Sequence, residues 1–314
     1  MSTLIPGSFG YLKRVSQPCS LTIGNFDGVH LGHQQLLQQT IEKAKKLNIP
    51  SCVYTFEPSP RTLLAPHLKT PRIMSWQEKT EAIFSQGIDY VVVEEFSAAF
   101  AQHHADWFAL EVIQNRLCAQ SVTVGYDFRY GRARAGTVQE LRRRLPTVDI
   151  TQIAAHKEGD DIISSSRIRE LLRDGDVVKA NQFLGAPYCL RGVVVAGDQR
   201  GRKIGFPTAN LETGAELIPE TGVYAVQAQV NRGEWQDAMV NLGTRPTFGG
   251  RRFQIEVHLF DFAEDIYGDE VSIRFFERIR AERRFDSPQK LKKQLETDKK
   301  RVQTYFSQNT DQCG

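Results

Sequence analysis

Leu21-Thr22-Ile23-Gly24-Asn25-Phe26-Asp27-Gly28-Val29-His30-Leu31-Gly32-His33 is the stretch that decides the fold. Residues 21–23 form a short apolar run of the kind that enters a buried strand. Beyond the glycine-rich segment, Leu37, Ile41 and Ala44 fall at helical spacing. The order is therefore strand, turn, helix. Where that helix opens, free backbone N–H groups and the helix dipole favour an anion. Gly24, Gly28 and Gly32 let the backbone come close to a ligand, so the turn is a phosphate cradle. His30 and His33, three apart, project from one side of the first helical turn. Such a pair also serves as a cap with a packed side chain, or as half of a metal site. No third histidine, cysteine or clustered carboxylate lies close by in sequence to complete a zinc site. Asp27 orients a histidine, meets a ribose hydroxyl, or is a simple turn residue.

Working outward, residues 52–56, 90–93, 122–124 and 148–153 are further strand candidates. Helical segments lie near 78–84 and 107–117. This alternation predicts a doubly wound α/β domain with five strands, over residues 1–184. In such sheets ligands gather at the carboxyl ends of strands, so the loops after Ile23, Phe56 and Val124 are where chemistry belongs. Near the end of the domain, Ser164-Ser165-Ser166-Arg167-Ile168-Arg169 sets three hydroxyls before a helix whose first turn carries two arginines. One serine suffices for a cap. The others, with guanidinium groups suited to phosphate oxygens, make a second phosphate clamp.

After Leu184-Gly185-Ala186-Pro187 the helical period fades, and a second domain spans residues 185–314. Tyr224, Val226, Ala228 and Val230 alternate with more polar neighbours, and Ile255, Val257 and Leu259 do the same, as half-buried antiparallel strands do. A closed or nearly closed small barrel is expected, with a C-terminal helix over about 287–306 laid against it. Gly201-Arg202-Lys203-Ile204-Gly205-Phe206-Pro207-Thr208-Ala209-Asn210 joins a basic glycine turn to an extended segment on which Thr208 and Asn210 point the same way. Two hard oxygen ligands beside backbone amides and a lysine suit ATP-bound magnesium; a plain Gly-Pro hairpin is the alternative. The chain has no GxxxxGK[ST] run, so a kinase here is not of the P-loop type. Glu256 shares the polar face of its strand with His258. A carboxylate so placed takes the proton from a primary hydroxyl attacking a γ-phosphate, or is a surface glutamate.

With 314 residues, two domains are the natural expectation. Forty basic residues against 37 acidic ones give +3, which selects neither nucleic acid nor an acidic membrane. Arg142-Arg143-Arg144 and the arginines between 278 and 284 read as solvated faces. Five scattered cysteines without a CxxC pair argue against a disulfide framework or a zinc site. No apolar run approaches the roughly 20 residues that span a bilayer. The expectation is a cytoplasmic protein, monomeric or weakly homo-oligomeric.

The run from Thr22 to His33, Val124-Gly125-Tyr126-Asp127-Phe128-Arg129-Tyr130-Gly131 and the Ser-Ser-Ser-Arg-Ile-Arg run together resemble the adenylyltransferase module of bifunctional riboflavin kinase/FAD synthetases. That family belongs to the HxGH nucleotidyltransferases. The resemblance implies a Rossmann-like fold, a catalytic role for His30, His33 and Arg167, and ATP contacts from Gly24, Asn25, Phe26, Asp27, Ser164, Ser165 and Arg169. It places Asp127 and Phe128 near the flavin. Phe56-Glu57-Pro58-Ser59-Pro60 is also similar, although family members commonly carry histidine at Ser59 and threonine at Ser166. In the second domain the Gly205-to-Asn210 run, Asn241-Leu242-Gly243-Thr244-Arg245-Pro246-Thr247-Phe248 and Glu256-Val257-His258-Leu259-Phe260-Asp261-Phe262 resemble the riboflavin kinase module in order and spacing. By that resemblance Glu256 is the general base, Gly205, Thr208 and Asn210 meet ATP, Thr208 and Asn210 hold Mg2+, and Arg245 and Phe248 close over the flavin. The activity implied is riboflavin to FMN, then FMN to FAD, with ATP consumed in both steps. HxGH at such a turn also occurs in class I aminoacyl-tRNA synthetases, but the chain lacks their Lys-Met-Ser-Lys-Ser loop. A flavin sensor without ATP consumption would not require the second set of motifs.

Overall fold

A computed structural model describes residues 3–6, 17–68, 70–197, 201, 204–247 and 250–309. The chain divides into two compact units, one running through Ser165 and the other starting at Ser166.

The first unit is built on a six-stranded parallel sheet of order β1-β4-β3-β2-β5-β6. Its strands are β1 (Thr3–Pro6), β2 (Cys19–Ile23), β3 (Ser51–Glu57), β4 (Tyr90–Glu95), β5 (Ala119–Gly125) and β6 (Asp149–Ile153). Helices α1 (Leu31–Leu47), α2 (Pro60–Leu64), α3 (Trp76–Ser85), α4 (Ala98–Ala101), α5 (Ala105–Trp107) and α6 (Val138–Arg144) join them, and β7 (Lys157–Glu158) pairs with β8 (Asp161–Ile162). Five strands were expected; the sixth, β1, is a four-residue edge strand paired with β4, too short to carry a period of its own. The helix expected near 107–117 is α5 continued by a π-helical stretch, Phe108–Arg116. Strand β2 has β3 on one side and β5 on the other, so the chain's direction of travel reverses there and a crevice opens at the carboxyl ends. Separate apolar cores cover the two faces: Leu21, Tyr54, Val122 and Phe108 on one, Phe26, Leu37, Val53 and Ile83 on the other. Helix α3 is fixed by a capping box, Ser75 accepting from the Glu78 amide and Glu78 from the Ser75 amide.

One buried acid lies inside this unit. Tyr54 donates its hydroxyl to Glu94 at 2.6 Å, while Glu94 Oε1 meets no partner among the described residues. Burial raises the Glu94 carboxyl from 4.5 to about 7. A raised acid contributes stability below its unfolded value, and that stability is lost as pH climbs from about 4.5 through 7. Glu94→Gln keeps an acceptor for Tyr54 without a charge to bury. The variant is expected to gain on wild type by up to about 3 kcal/mol above pH 8, with no gain at pH 4, in urea titrations at both pH values. Equal gains at both would show that the charge is irrelevant.

The second unit is a closed antiparallel barrel of order β10-β13-β12-β11-β14-β9. Its strands are β9 (Cys189–Val195), β10 (Ala209–Glu212), β11 (Gly222–Val230), β12 (Trp235–Thr247), β13 (Gly250–Leu259) and β14 (Glu270–Arg280). Helices α7 (Ser165–Asp174) and α8 (Val177–Leu184) precede it, and α9 (Pro288–Gln308) follows. The alternation suggested half-buried strands; β13 keeps it over Gln254 to Val257, but β11 does not. On β11 every residue from Gly222 to Ala228 is buried, because one side fills the barrel and the other lies under α9, against Val302 and Phe306. Arg280 on β14 grips the buried Asp298 of α9 through Nε and Nη2, at 2.9 and 2.8 Å. The helices before the barrel are tied to it as well: the Glu220 amide donates to Leu172 O, Asn181 Nδ2 to Phe275 O, and Arg278 Nη1 to Asp174 O.

Candidate active sites

In the first unit the turn after β2 holds an unusual backbone. Gly28 has φ 87°, but Phe26 and Val29 also take positive values, 51° and 39°, which side-chain-bearing residues adopt only when their surroundings compel it. The compulsion is visible. Phe26 is fully buried and packs beneath the turn; a side chain at Gly24 would meet its ring at 3.1 Å. Asp27 accepts the amides of Ile73, at 3.0 Å, and Met74, so its carboxylate braces the segment before α3. The Asp27 carbonyl accepts from the Ser165 hydroxyl at 2.8 Å, which brings one end of the Ser-Ser-Ser-Arg run to the turn. Ser164 is half-buried beside it. Arg167 reaches Glu170 at 3.2 Å, and Arg169 is buried; both lie in α7 beyond the unit boundary.

The two histidine rings stack, 3.6 Å between centroids and 17° from parallel. His30 caps α1: its Nδ1 accepts from the His33 amide, which leaves the proton of the neutral ring on Nε2, a donor. A Cβ at Gly32 would sit 3.3 Å from the His30 ring, so the middle glycine of the motif makes room for the histidine. Burial first, then the neighbouring His30 and Lys79, hold His33 well below the ordinary imidazole value, so it is neutral at pH 7. His33 Nδ1 and Asn25 Oδ1 are buried with no hydrogen-bond partner among the described residues. Native structures rarely leave such atoms orphaned except where a ligand or solvent completes them. After β5, Asp127 is exposed and Phe128 stacks on Tyr130, 5.6 Å between centroids, at the carboxyl edge of the sheet.

One residue near the turn was not singled out in the sequence. Lys79 on α3 is buried and donates to the Asn25 carbonyl at 3.2 Å. Its position three and four residues from Trp76 and Ile83 put it on the apolar stripe of the helix, which was the available signal.

In the barrel, Thr208, Asn241, Glu256 and His258 line a 710 Å³ cavity whose remaining wall includes Ile204, Met239 and Leu291. Thr208 also borders a second hollow of 330 Å³ with Pro207, Ala209 and Tyr267. Asn210 pairs with Glu256 across β10 and β13, and a single amide joins their side chains: Gln254 Nε2 donates to Asn210 Oδ1 at 3.1 Å and to Glu256 Oε1 at 2.8 Å. His258 shares the face of Glu256, as expected, but that face looks into the cavity. Its Nδ1–H donates to the Pro207 carbonyl at 2.7 Å, fixing the strand entry just before Thr208, and burial lowers its basicity. Gly205 takes φ 83°, a turn conformation that favours glycine. Arg245 lies within β12 opposite Arg252 rather than in a free loop, and Phe248, with Arg202 and Lys203, falls outside the described residues.

A parallel sheet with a stacked histidine pair at its first strand-to-helix turn, followed by a barrel with a carboxylate over a cavity, defines a two-site phosphotransfer enzyme with a nucleotidyltransferase-like first domain. Comparison with known proteins gives the particulars. The model of the FAD synthetase family matches residues 12–167, and that of the riboflavin kinase family matches 184–306. A bifunctional riboflavin kinase/FMN adenylyltransferase of Haemophilus influenzae is 38% identical, with 94% of this chain and 96% of that protein covered. One from Bacillus subtilis is 39% identical, with 94% and 95% covered. A solved structure described as a macrolide-efflux protein from Streptococcus pneumoniae superposes with a TM-score of 0.88 at 32% identity, covering 95% of this chain and 99% of that one. Among the described residues here, no helix is long and apolar enough to cross a membrane. The chain belongs to the bifunctional riboflavin kinase/FMN adenylyltransferase family. It phosphorylates riboflavin to FMN and adenylylates FMN to FAD, with ATP as the co-substrate of both reactions.

Proposed function

We propose that FMN is adenylylated at the turn after β2 and that riboflavin is phosphorylated over Glu256. The observation that carries the first assignment is the stacked histidine pair, His30 buried and His33 half-buried, with His33 Nδ1 and the neighbouring Asn25 Oδ1 without hydrogen-bond partners among the described residues. An FMN phosphate oxygen attacks the α-phosphorus of ATP, the α–β bridging bond breaks, and pyrophosphate leaves. His30 Nε2–H and the His33 ring stabilise the charge that develops on the α-phosphate. Gly24, Asn25, Phe26 and Asp27 shape the nucleotide's bed; Ser164, Ser165, Arg167 and Arg169 are assigned to ATP by the order of the motif, and Asp127 and Phe128 to the flavin.

In the kinase reaction Glu256, held by Gln254, takes the proton of the primary hydroxyl as it attacks the γ-phosphorus, and ADP leaves. The apolar wall of the 710 Å³ cavity supports its use by the flavin ring. The place of Thr208 on both hollows supports an ATP approach from the smaller one. Gly205, Arg245 and Phe248 complete the assignment. Thr208 and Asn210 offer hard oxygens, and no group of three or more His, Cys, Asp or Glu among the described residues forms a cage. That donor set fits magnesium carried by the ATP phosphates, which neutralises their charge. We place the functional boundary at residues 184/185, within the second compact unit; the start of the riboflavin kinase match at residue 184 supports this, with α7 and α8 packed on the barrel ahead of it. A cytoplasmic enzyme, monomeric or weakly self-associating, with neither nucleic acid nor membrane as a partner, accords with the small net charge.

The test is a time course with riboflavin and ATP, the flavins separated by chromatography. FMN followed by FAD is expected with magnesium, both stopping on addition of a chelator and resuming when magnesium is restored. FMN formation that persists in chelator would refute the assignment of Thr208 and Asn210 to the metal.

A further inference from the structure

Lys79 is a buried cation directly beneath the histidine turn. Its ammonium lies 3.2 Å from the Asn25 carbonyl and 3.5 Å from the Thr55 hydroxyl, and 4.6 Å above the Trp76 ring. The charged groups around it are Asp27 and Glu57, which favour its proton, and Arg72, which opposes it and is itself paired to Glu57 at 3.2 Å. On the far side of the turn stand His33 and, stacked on it, His30. Burying an ammonium is unfavourable unless its surroundings compensate for the lost water. Here it meets a carbonyl, a hydroxyl and an aromatic face, without a direct carboxylate contact among the hydrogen bonds of the described residues. The carbonyl it holds belongs to the strained turn in which Phe26 and Val29 sit at positive φ.

We propose that Lys79 is a positioning residue for adenylyl transfer: it clamps the Asn25 carbonyl, and so the strained turn that leads into His30 and His33. Two independent features support this. The Asn25 carbonyl is met by both Lys79 and Thr55, so the clamp acts on the residue whose side-chain oxygen is left open. Burial brings the lysine down to about 8, so at pH 7 it still carries its proton and the group that holds the carbonyl is an ammonium. The proposal rests on adenylyl transfer taking place at this turn.

Lys79→Met removes the charge at nearly constant shape. FAD formation from supplied FMN is expected to lose about a hundredfold in kcat, with KM for FMN and ATP changed less than about threefold. FMN formation should be unaltered. K79R, which keeps both the donor and the charge, should recover kcat to within about tenfold of wild type, a rescue that a merely structural role would not require. A folded K79M with wild-type kcat, or a folded K79R as slow as K79M, overturns the proposal. If K79M does not fold, K79R decides: a kcat within about tenfold of wild type sustains the clamp, and a larger loss sinks it. His33→Ala, assayed in parallel, separates the two readings. If that variant still makes FAD, the site assignment itself has failed; if it does not while K79M does, only Lys79 has.

Discussion

His33→Ala is expected to lose FAD formation by at least about 10²- to 10³-fold while converting riboflavin to FMN at the wild-type rate. The fold should survive the change. The contact that caps α1 runs from the backbone amide of His33 to His30 Nδ1, and an alanine keeps that amide. What disappears is one of two stacked rings that we assign to the same charge, in a place where desolvation disfavours the protonated form. The barrel unit has its own core and its own cavity, so chromatography of the flavins should show FMN accumulating and no FAD. A folded variant that loses both activities together would contradict two independent sites.

Glu256→Ala should produce the mirror image, FMN formation down by about 10² to 10⁴ and conversion of supplied FMN to FAD untouched. Glu256 contributes to β13 through its backbone, paired with Asn210 on one side and Asn241 on the other, and those ladders do not depend on the carboxylate. Gln254 retains Asn210 as an acceptor after the substitution. The expected defect is therefore chemical, visible in kcat with little change in the thermal transition. Retention of riboflavin phosphorylation would return Glu256 to an ordinary cavity-lining residue.

Much of this was legible in the sequence because the informative residues are local. Strand, glycine turn and helix follow one another between Leu21 and Ala44, and the motif's two histidines need only a helical turn to meet. The barrel's strands were found, but the two-sided burial of β11 was not: an alternation of Tyr224 and Val226 with Ala225 and Gln227 says nothing about a helix 70 or more residues later covering the second face. The edge strand β1 escaped because four residues carry no period. Lys79 and Glu94 escaped for a different reason. Each is a charged residue in an ordinary amphipathic or strand context, and only the fold shows Lys79 meeting the carbonyl of a residue 54 positions earlier, or Glu94 meeting Tyr54 inside the sheet. Asp27 had three readings in the sequence, and the structure adds a fourth, a brace for the amides of Ile73 and Met74.

The two-sided burial of β11 bears on where this chain tolerates change. From Val223 to Ala228 the strand has no solvent face, and Ala225 and Ala228 are small where larger side chains would collide with the barrel interior or with the layer beneath α9. Drift on one face, the usual freedom of a sheet, is closed there. The four residues that follow the strand, Asn231 to Glu234, are all exposed and carry the chain into β12. Variation in length, a fused tag or a reporter belongs at that hairpin, which lies at the surface while the strands it joins stay fixed.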